Sequence, residues 1–483
     1  MGPGPDAELA PAGLVLRPDP GSRLLAGGTV LTGGSPVRVL RLTPYGARMV
    51  SCWWSGTPIP DNPKARALAR RLLDTGIAHP VPPVSGSWVP SDVTVVVPVR
   101  DRQAELARCL AGLASLPRVI VVDDGSADAD AIARVAGRTG AQVLRRPVNG
   151  GPGAARNTGL AAAQTPLVAF LDSDCVPGPG WLDRLLPHFA DPAVGAVAPR
   201  IVPAEDGRTW LARYEGASST LDMGARASMV RPGARVPYVP GAALVVRRDA
   251  AGAGFAEDMP VGEDVDFAWR LAASGWGVRY EPDAVVPHQH RVRLSAWFSR
   301  RRDYGTSAAV LELRHPGAVR PLYVSPWTAL AWLAAVSGRP VVGTAVTGTG
   351  IALLARRLAS LTREPWPRPA ARTAWLLATS LAGGGTLTAG RPLGSAISRT
   401  WWPAAVPAAI AMRRLRLPLA ALVLAPPLLD WIDRRPPLDP ARYVAARLLD
   451  DIGYSLGVWQ GCARHRTIQP LLPVLTTGRR PPS

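Results

Sequence analysis

The chain has 483 residues and a formal net charge of +19, from 55 Lys+Arg against 36 Asp+Glu, with 47% hydrophobic and 19% charged residues. That length leaves room for roughly two to four domains of ordinary size, and so apolar a composition excludes a mainly disordered chain. The charge is uneven: Arg291–Ser483 carries 26 arginines and 8 acids, net +18, which leaves only +1 for residues 1–290. A basic region that is also rich in apolar runs suits an anionic lipid surface, and no nucleic-acid partner is expected.

The four cysteines, Cys52, Cys109, Cys175 and Cys462, are far apart and form no CxxC pair, so they read as reduced thiols. The first residues, MGPGPDAELAPAG, lack a basic segment followed by an apolar run. No signal peptide is expected, and the chemistry is expected on the cytosolic face of the cell membrane.

Three regions are expected, 1–89, 90–315 and 316–483. In the first, RLLAGGTVL and PVRVLRL flank a Gly-rich turn and predict a hairpin. Pro63 then opens a helix with Ala65, Leu68, Leu72 and Leu73 at helical spacing, and Gly76 closes it. The Pro-rich HPVPPVSGSWVP (79–90) reads as a linker. This is a small α+β module without a catalytic constellation.

The second region alternates strand and helix signals. The apolar runs Val93–Val99, Arg118–Asp124, Ala141–Pro147 and Pro166–Asp174 predict parallel strands buried on both faces of an α/β sheet. Polar residues gather at their carboxyl ends, the edge at which open α/β sheets bind ligands: Arg100 and Asp101, then Asp123 and Asp124, then Asp172 and Asp174, and Pro98 beside the first of them is a further candidate nucleotide-sugar contact. Two carboxylates one residue apart in LDSD can share a divalent cation with diphosphate oxygens. Asp123 and Asp124 before Gly125 can accept from a base N–H or simply cap the next helix. The stretch Asn149-Gly-Gly151-Pro-Gly-Ala-Ala-Arg156-Asn-Thr158 matches neither GxGxxG nor the P-loop. It reads as a loop that brings backbone and Arg156 to a nucleotide. Glu263 and Asp264 precede an amphipathic helix, where acids either favour the helix dipole or supply a general base. His288, ahead of His290, is a candidate further metal ligand.

Beyond Leu322, four nearly uncharged runs alternate with arginines (Arg356, Arg357, Arg413, Arg414, Arg416, Arg434, Arg435) and end-placed tryptophans. They predict apolar helices that cross or lie on a membrane.

VTVVVPVRDR, VIVVDDGSADAD, NGGPGAARNTG, FLDSD and GEDVDFAWRL, in this order over about 200 residues, resemble a family 2 glycosyltransferase of the GT-A fold. The resemblance implies an inverting transfer from a UDP-sugar with a divalent cation, Mn or Mg. By motif, Asp123, Asp124 and Arg156 would hold the nucleotide, Asp172 and Asp174 the ribose and the metal diphosphate, and Asp264 would be the base with Glu263 beside it. The Gln-x-x-Arg-Trp motif of processive synthases is absent. The first 89 residues are similar to PqqD-like peptide-recognition modules, and the layout is similar to the mycofactocin-system glycosyltransferases. That implies transfer of glucose from UDP-glucose to premycofactocin or a related small acceptor, with a lipid or cell-wall glycan acceptor as the alternative.

Overall fold

The computed structural model describes residues 2–4, 7–25, 27–81, 88–204, 207, 209–289, 293–360 and 369–476. Most of the linker, 82–87, and His290 lie outside them. Two compact units are present: residues 1–206 with 218–290, and 207–217 with 291–483. The division between these units falls at 290/291, within the expected region 90–315.

The first unit begins with β1 (Val15–Pro18), β2 (Arg23–Leu25), β3 (Val30–Gly33), β4 (Arg38–Arg41), α1 (Pro44–Trp54), α2 (Pro63–Thr75) and β5 (Ala78–Val81). The expected hairpin is part of a three-stranded sheet, β2-β3-β4, while β5 pairs with β1. His79–Val81, expected as linker, is therefore strand. Asn62 caps α2 by accepting from Lys64 and Ala65 N–H, and Gly76 ends it in the left-handed conformation. Leu31, Val50, Trp53, Leu72, Leu73 and Ile77 close a core between sheet and helices. Asp19, buried in this module, pairs with Arg235 at 2.8 Å and with His79 at 3.1 Å.

There follow β6 (Val93–Val99), α3 (Gln103–Gly112), β7 (Val119–Asp124), α4 (Ala129–Gly137), β8 (Gln142–Arg146), α5 (Gly151–Ala162), β9 (Leu167–Leu171), β10 (Val194–Pro203), then α6 (Trp210–Ser218), which as far as residue 217 belongs to the second unit, and, back in the first, β11 (Ser228–Met229), β12 (Ala243–Arg247), α7 (Glu263–Ala273) and β13 (Gly277–His288). All the strands from β6 to β13 form one eight-stranded sheet, ordered β11-β13-β10-β12-β9-β6-β7-β8. β9, β6, β7 and β8 run parallel, as the continuous apolar runs require, and β12 joins β9 antiparallel. Side chains of β6 alternate between two cores: Val95, Val97 and Val99 pack with Leu106, Leu110 and Leu171, and Val96 packs with Phe170 and Ala155 on the other face. Helix α5 lies so close to β6 that a Cβ on Gly159 would stand 2.2 Å from Val96 Cγ1.

The second unit is helical, led by α8 (Leu294–Arg314). Gly453, Gly457 and Gly461, four residues apart on the helix Pro440–Arg464, let the two helices touch backbone to backbone; a Cβ on Gly457 would meet Arg302 O. Arg301 of α8 is buried between Glu215 and Asp450, 3.1 Å from the latter. Two further helices, Pro340–Leu358 and Arg413–Arg434, are long and apolar enough to cross a membrane, and only 11% of each is buried.

Candidate active site

The loops at the carboxyl ends of β6, β7 and β9 converge, and each site carboxylate there is met by an arginine. Asp123 Oδ1 accepts from Ser126 N–H at 2.9 Å, and Oδ2 pairs with Arg145. Asp124 accepts from Gly150 and Gly151 N–H at 2.9 and 2.8 Å and from Arg146 Nε at 2.9 Å. Its oxygens are occupied in tying the 149–151 loop to β7. Gly125, at φ +74°, makes this closure possible, since a Cβ there would stand 2.8 Å from Asn149 N. Asn149 accepts from Gly151 N–H at 3.1 Å and so shapes its own loop. Asp101 (φ 57°) accepts from Ala127 N–H at 2.7 Å while its own N–H donates to Ser126 Oγ, which ties the β6 loop to the β7 loop. Arg100 is exposed beside it, and Pro98 pairs within β6.

The expected loop 149–158 is a loop only as far as Gly150. From Gly151 it is α5, because Pro is tolerated in the first turn of a helix and supplies the right φ. Arg156 is consequently buried rather than offered to a nucleotide. Its Nη1 donates to Glu263 Oε1 at 2.8 Å, and its Nη2 to Asp172 Oδ1 at 2.8 Å and Gly241 O at 3.2 Å. Phe255 lies under the guanidinium at 5.3 Å. Burial alone would depress the guanidinium, but Asp172 and Glu263 keep it protonated above its usual range. Burial pushes the Glu263 carboxyl up, with Asp264 adding to the rise and Arg156 opposing it.

Asp264 begins α7 and is half-buried. Its Oδ2 accepts from Gly241 N–H at 2.7 Å and its Oδ1 from Val265 N–H at 2.8 Å. Gly241 therefore sits between the two carboxylates: its carbonyl is bound by the arginine that holds Asp172, and its N–H is bound to Asp264. Of the two acids expected at the base position, Glu263 is buried as the partner of Arg156 and Asp264 is the more exposed. Of the two alternatives for this pair, the helix-end one is visible at Asp264, which accepts from an N–H in the first turn of its own helix.

Asp174 stands just past β9 in the turn that follows Asp172. Val176 N–H donates to Pro287 O at 2.8 Å, and Gln289 N–H to Asp174 O at 3.0 Å. This pairing carries His288, at the end of β13, to the carboxylate. Asp174 Oδ1 is buried without an aligned hydrogen bond, and His288 Nε2 stands 3.2 Å from it. Asp174 Oδ2 pairs with Arg102. Burial alone would raise the Asp174 carboxyl, but His288 and Arg102 hold it well below the ordinary range, whereas burial leaves Asp172 raised despite Arg156. Among the described residues no three His, Cys, Asp or Glu side chains converge. Asp172, expected as a third ligand, is turned to Arg156, so an ion at Asp174 and His288 would complete its shell from phosphate or water. Sequence reasoning passed over Arg102, Arg145, Arg146 and Gly241; Arg145 and Arg146 stand in register beside Asp123 and Asp124, which the strand ends alone could have suggested.

Residues 94–255 match the model of glycosyl transferase family 2. Over 481 residues the chain is 42% identical to the pre-mycofactocin glycosyltransferase of Mycobacterium tuberculosis, covering 98% of this chain and 100% of that one. It is 30% identical over 208 residues to the succinoglycan biosynthesis protein ExoU of Rhizobium meliloti, covering 38% of this chain and 58% of the relative. Among solved structures it is similar to a mannosyltransferase from Pyrobaculum calidifontis, at 22% identity and a TM-score of 0.38, over 62% of this chain and 89% of that one. The full-length match, together with the motifs gathered at the sheet edge, means that the chain belongs to the pre-mycofactocin glycosyltransferase family, within glycosyl transferase family 2.

Proposed function

We propose that this protein transfers glucose from UDP-glucose to premycofactocin with inversion at the anomeric carbon, by repeated single additions. The observation that carries the reading is the link Asp172, Arg156, Gly241, Asp264, which holds a carboxylate for the donor and a carboxylate for the acceptor on one rigid brace. The acceptor's identity comes from the family relative, whose length the chain matches end to end.

In this reading Asp123 and Arg145, side by side, offer an acceptor and a donor to the N3–H and O4 edge of uracil. Asp172, fixed by Arg156, faces the ribose. A divalent cation, held by Asp174 and His288 when bound, would supply neutralising charge to the diphosphate leaving group. Asp264 takes the proton from the acceptor hydroxyl as that oxygen attacks the anomeric carbon, and UDP departs from the opposite face. Glu263 does not share this task, because its carboxylate is spent on Arg156.

The helical second unit is proposed to contact an anionic lipid surface on the cytosolic side. Arg413, Arg414, Arg416, Arg434 and Arg435 bracket an apolar helix whose Leu417, Leu424 and Ile432 are exposed. That same feature favours a second reading in which the acceptor is a lipid or cell-wall glycan. Purified full-length protein with UDP-glucose and Mn²⁺ separates the two: UDP release stimulated by premycofactocin supports the first, and release stimulated only by membrane lipid extract supports the second. No stimulation by either would contradict both.

A further inference from the structure

Arg102 has no part in the proposed mechanism, yet its guanidinium contacts the carboxylate of Asp174. It is the residue before α3, at the carboxyl end of β6, and its Nη1 reaches across to Asp174 Oδ2, 72 residues away in the chain. Its side chain is 36% exposed, against 4% for Arg156. Arg156 is fixed by three acceptors, whereas among the described residues the Arg102 side chain meets one acceptor, Asp174. An arginine that is one-third exposed and held at one end can rotate away at little cost in packing.

The pairing has a consequence for any cation that enters. Asp174 is the carboxylate whose other oxygen faces His288, so a divalent ion there would stand close to the guanidinium, and like charges in a half-buried site repel strongly. The guanidinium then needs another anion, and its planar fork of donors matches phosphate oxygens. We propose that Arg102 is a mobile counter-charge: it neutralises Asp174 while the site is empty of metal and moves to the diphosphate of the nucleotide-sugar when metal and donor bind. This rests on the reading of the sheet edge as a site for a metal-bound nucleoside diphosphate. It makes metal and donor binding mutually dependent, because the ion displaces the arginine and the donor receives it.

The test is binding, without turnover. Mn²⁺ affinity of the full-length protein is measured by electron paramagnetic resonance in the absence of nucleotide, and UDP affinity by calorimetry in saturating Mn²⁺. Arg102→Gln should bind Mn²⁺ alone at least threefold more tightly and UDP at least tenfold more weakly than the wild type. Arg102→Lys, which keeps the charge but loses the fork, should retain the wild-type Mn²⁺ affinity and recover part of the UDP affinity. Unchanged or weakened Mn²⁺ binding in Arg102→Gln, or unchanged UDP binding, would overturn the inference and make Arg102 a static brace. If the wild type itself binds no UDP with Mn²⁺, the reading of the site fails along with it; if the wild type binds and Arg102→Gln matches it, only the role of Arg102 falls.

Discussion

Arg156 decides what most of its neighbours can do. A guanidinium buried at the foot of the site and held by Asp172, Glu263 and the Gly241 carbonyl cannot swing to a ligand without leaving three acceptors unpaired. In the proposed mechanism Glu263 belongs to the scaffold, and the two adjacent acids differ in environment: one is buried and paired with Arg156, the other is half-buried. Glu263→Gln keeps the shape and an acceptor but removes the charge opposite Arg156. It should lower stability by about 1–3 kcal/mol, read as a fall in the melting temperature, with turnover reduced far less than by a change at Asp264. Similar loss of turnover in both variants would return Glu263 to the chemistry. None of these pairings is legible from the residues in order. Arg156 follows Gly-Pro-Gly, which reads as loop, and only the tertiary packing shows that Pro152 starts a helix that points the arginine inward.

At the scale of elements, what could be read was what depends on one face or one end. The run Val93–Val99 is apolar without interruption because both faces of β6 are covered, so its strand state and its place in a parallel sheet follow from the sequence. Helix α2 announces itself at both ends, with Asn62 and Pro63 at the start and Gly76 at the finish. The antiparallel insertion of β12 between β9 and β10 was not read, because it depends on pairings 48 to 80 residues apart. Nor was the joint between the N-terminal module and the sheet domain. That joint includes Asp19, where burial alone would raise the carboxyl but His79 and Arg235 hold it well below the ordinary range. Burial, in turn, lowers His79 from its ordinary value, despite Asp19. Both shifts have the same sign for stability, since the unfolded chain takes up protons that the folded one resists. Stability should therefore fall as pH drops below about 6.5 through His79, and further below about 4 through Asp19. Asp19→Asn should cost about 3–5 kcal/mol at neutral pH, leaving Arg235 without its buried partner, and should flatten the acid limb of a melting-temperature profile. A variant whose profile parallels that of the wild type would show that the pair is not a stabilising joint.

At the scale of the molecule, the chain divides its charge and its chemistry between two units. The first carries nearly balanced charge and every residue assigned to the reaction; the second carries the arginine excess and the exposed apolar helices. Apolar length and charge count are sequence properties, so the arginine excess and the apolar runs of the C-terminal part are legible in the sequence. If the second unit meets lipid through Leu417, Leu424 and Ile432, the full-length protein should sediment with membranes and stay there in high salt, which screens charge but not apolar contact. Detergent should release it. Release by salt alone would confine the contact to charge.

In the proposed mechanism Asp264 removes the acceptor proton while the donor is held by other residues. The direct measurement is acceptor-dependent UDP release by Asp264→Asn and the wild type, with UDP affinity determined on the same preparations. A fall in turnover of about 10²–10⁴-fold with UDP affinity within about threefold of the wild type is predicted. Turnover retained in the variant, or lost only in step with UDP affinity, would contradict the assignment.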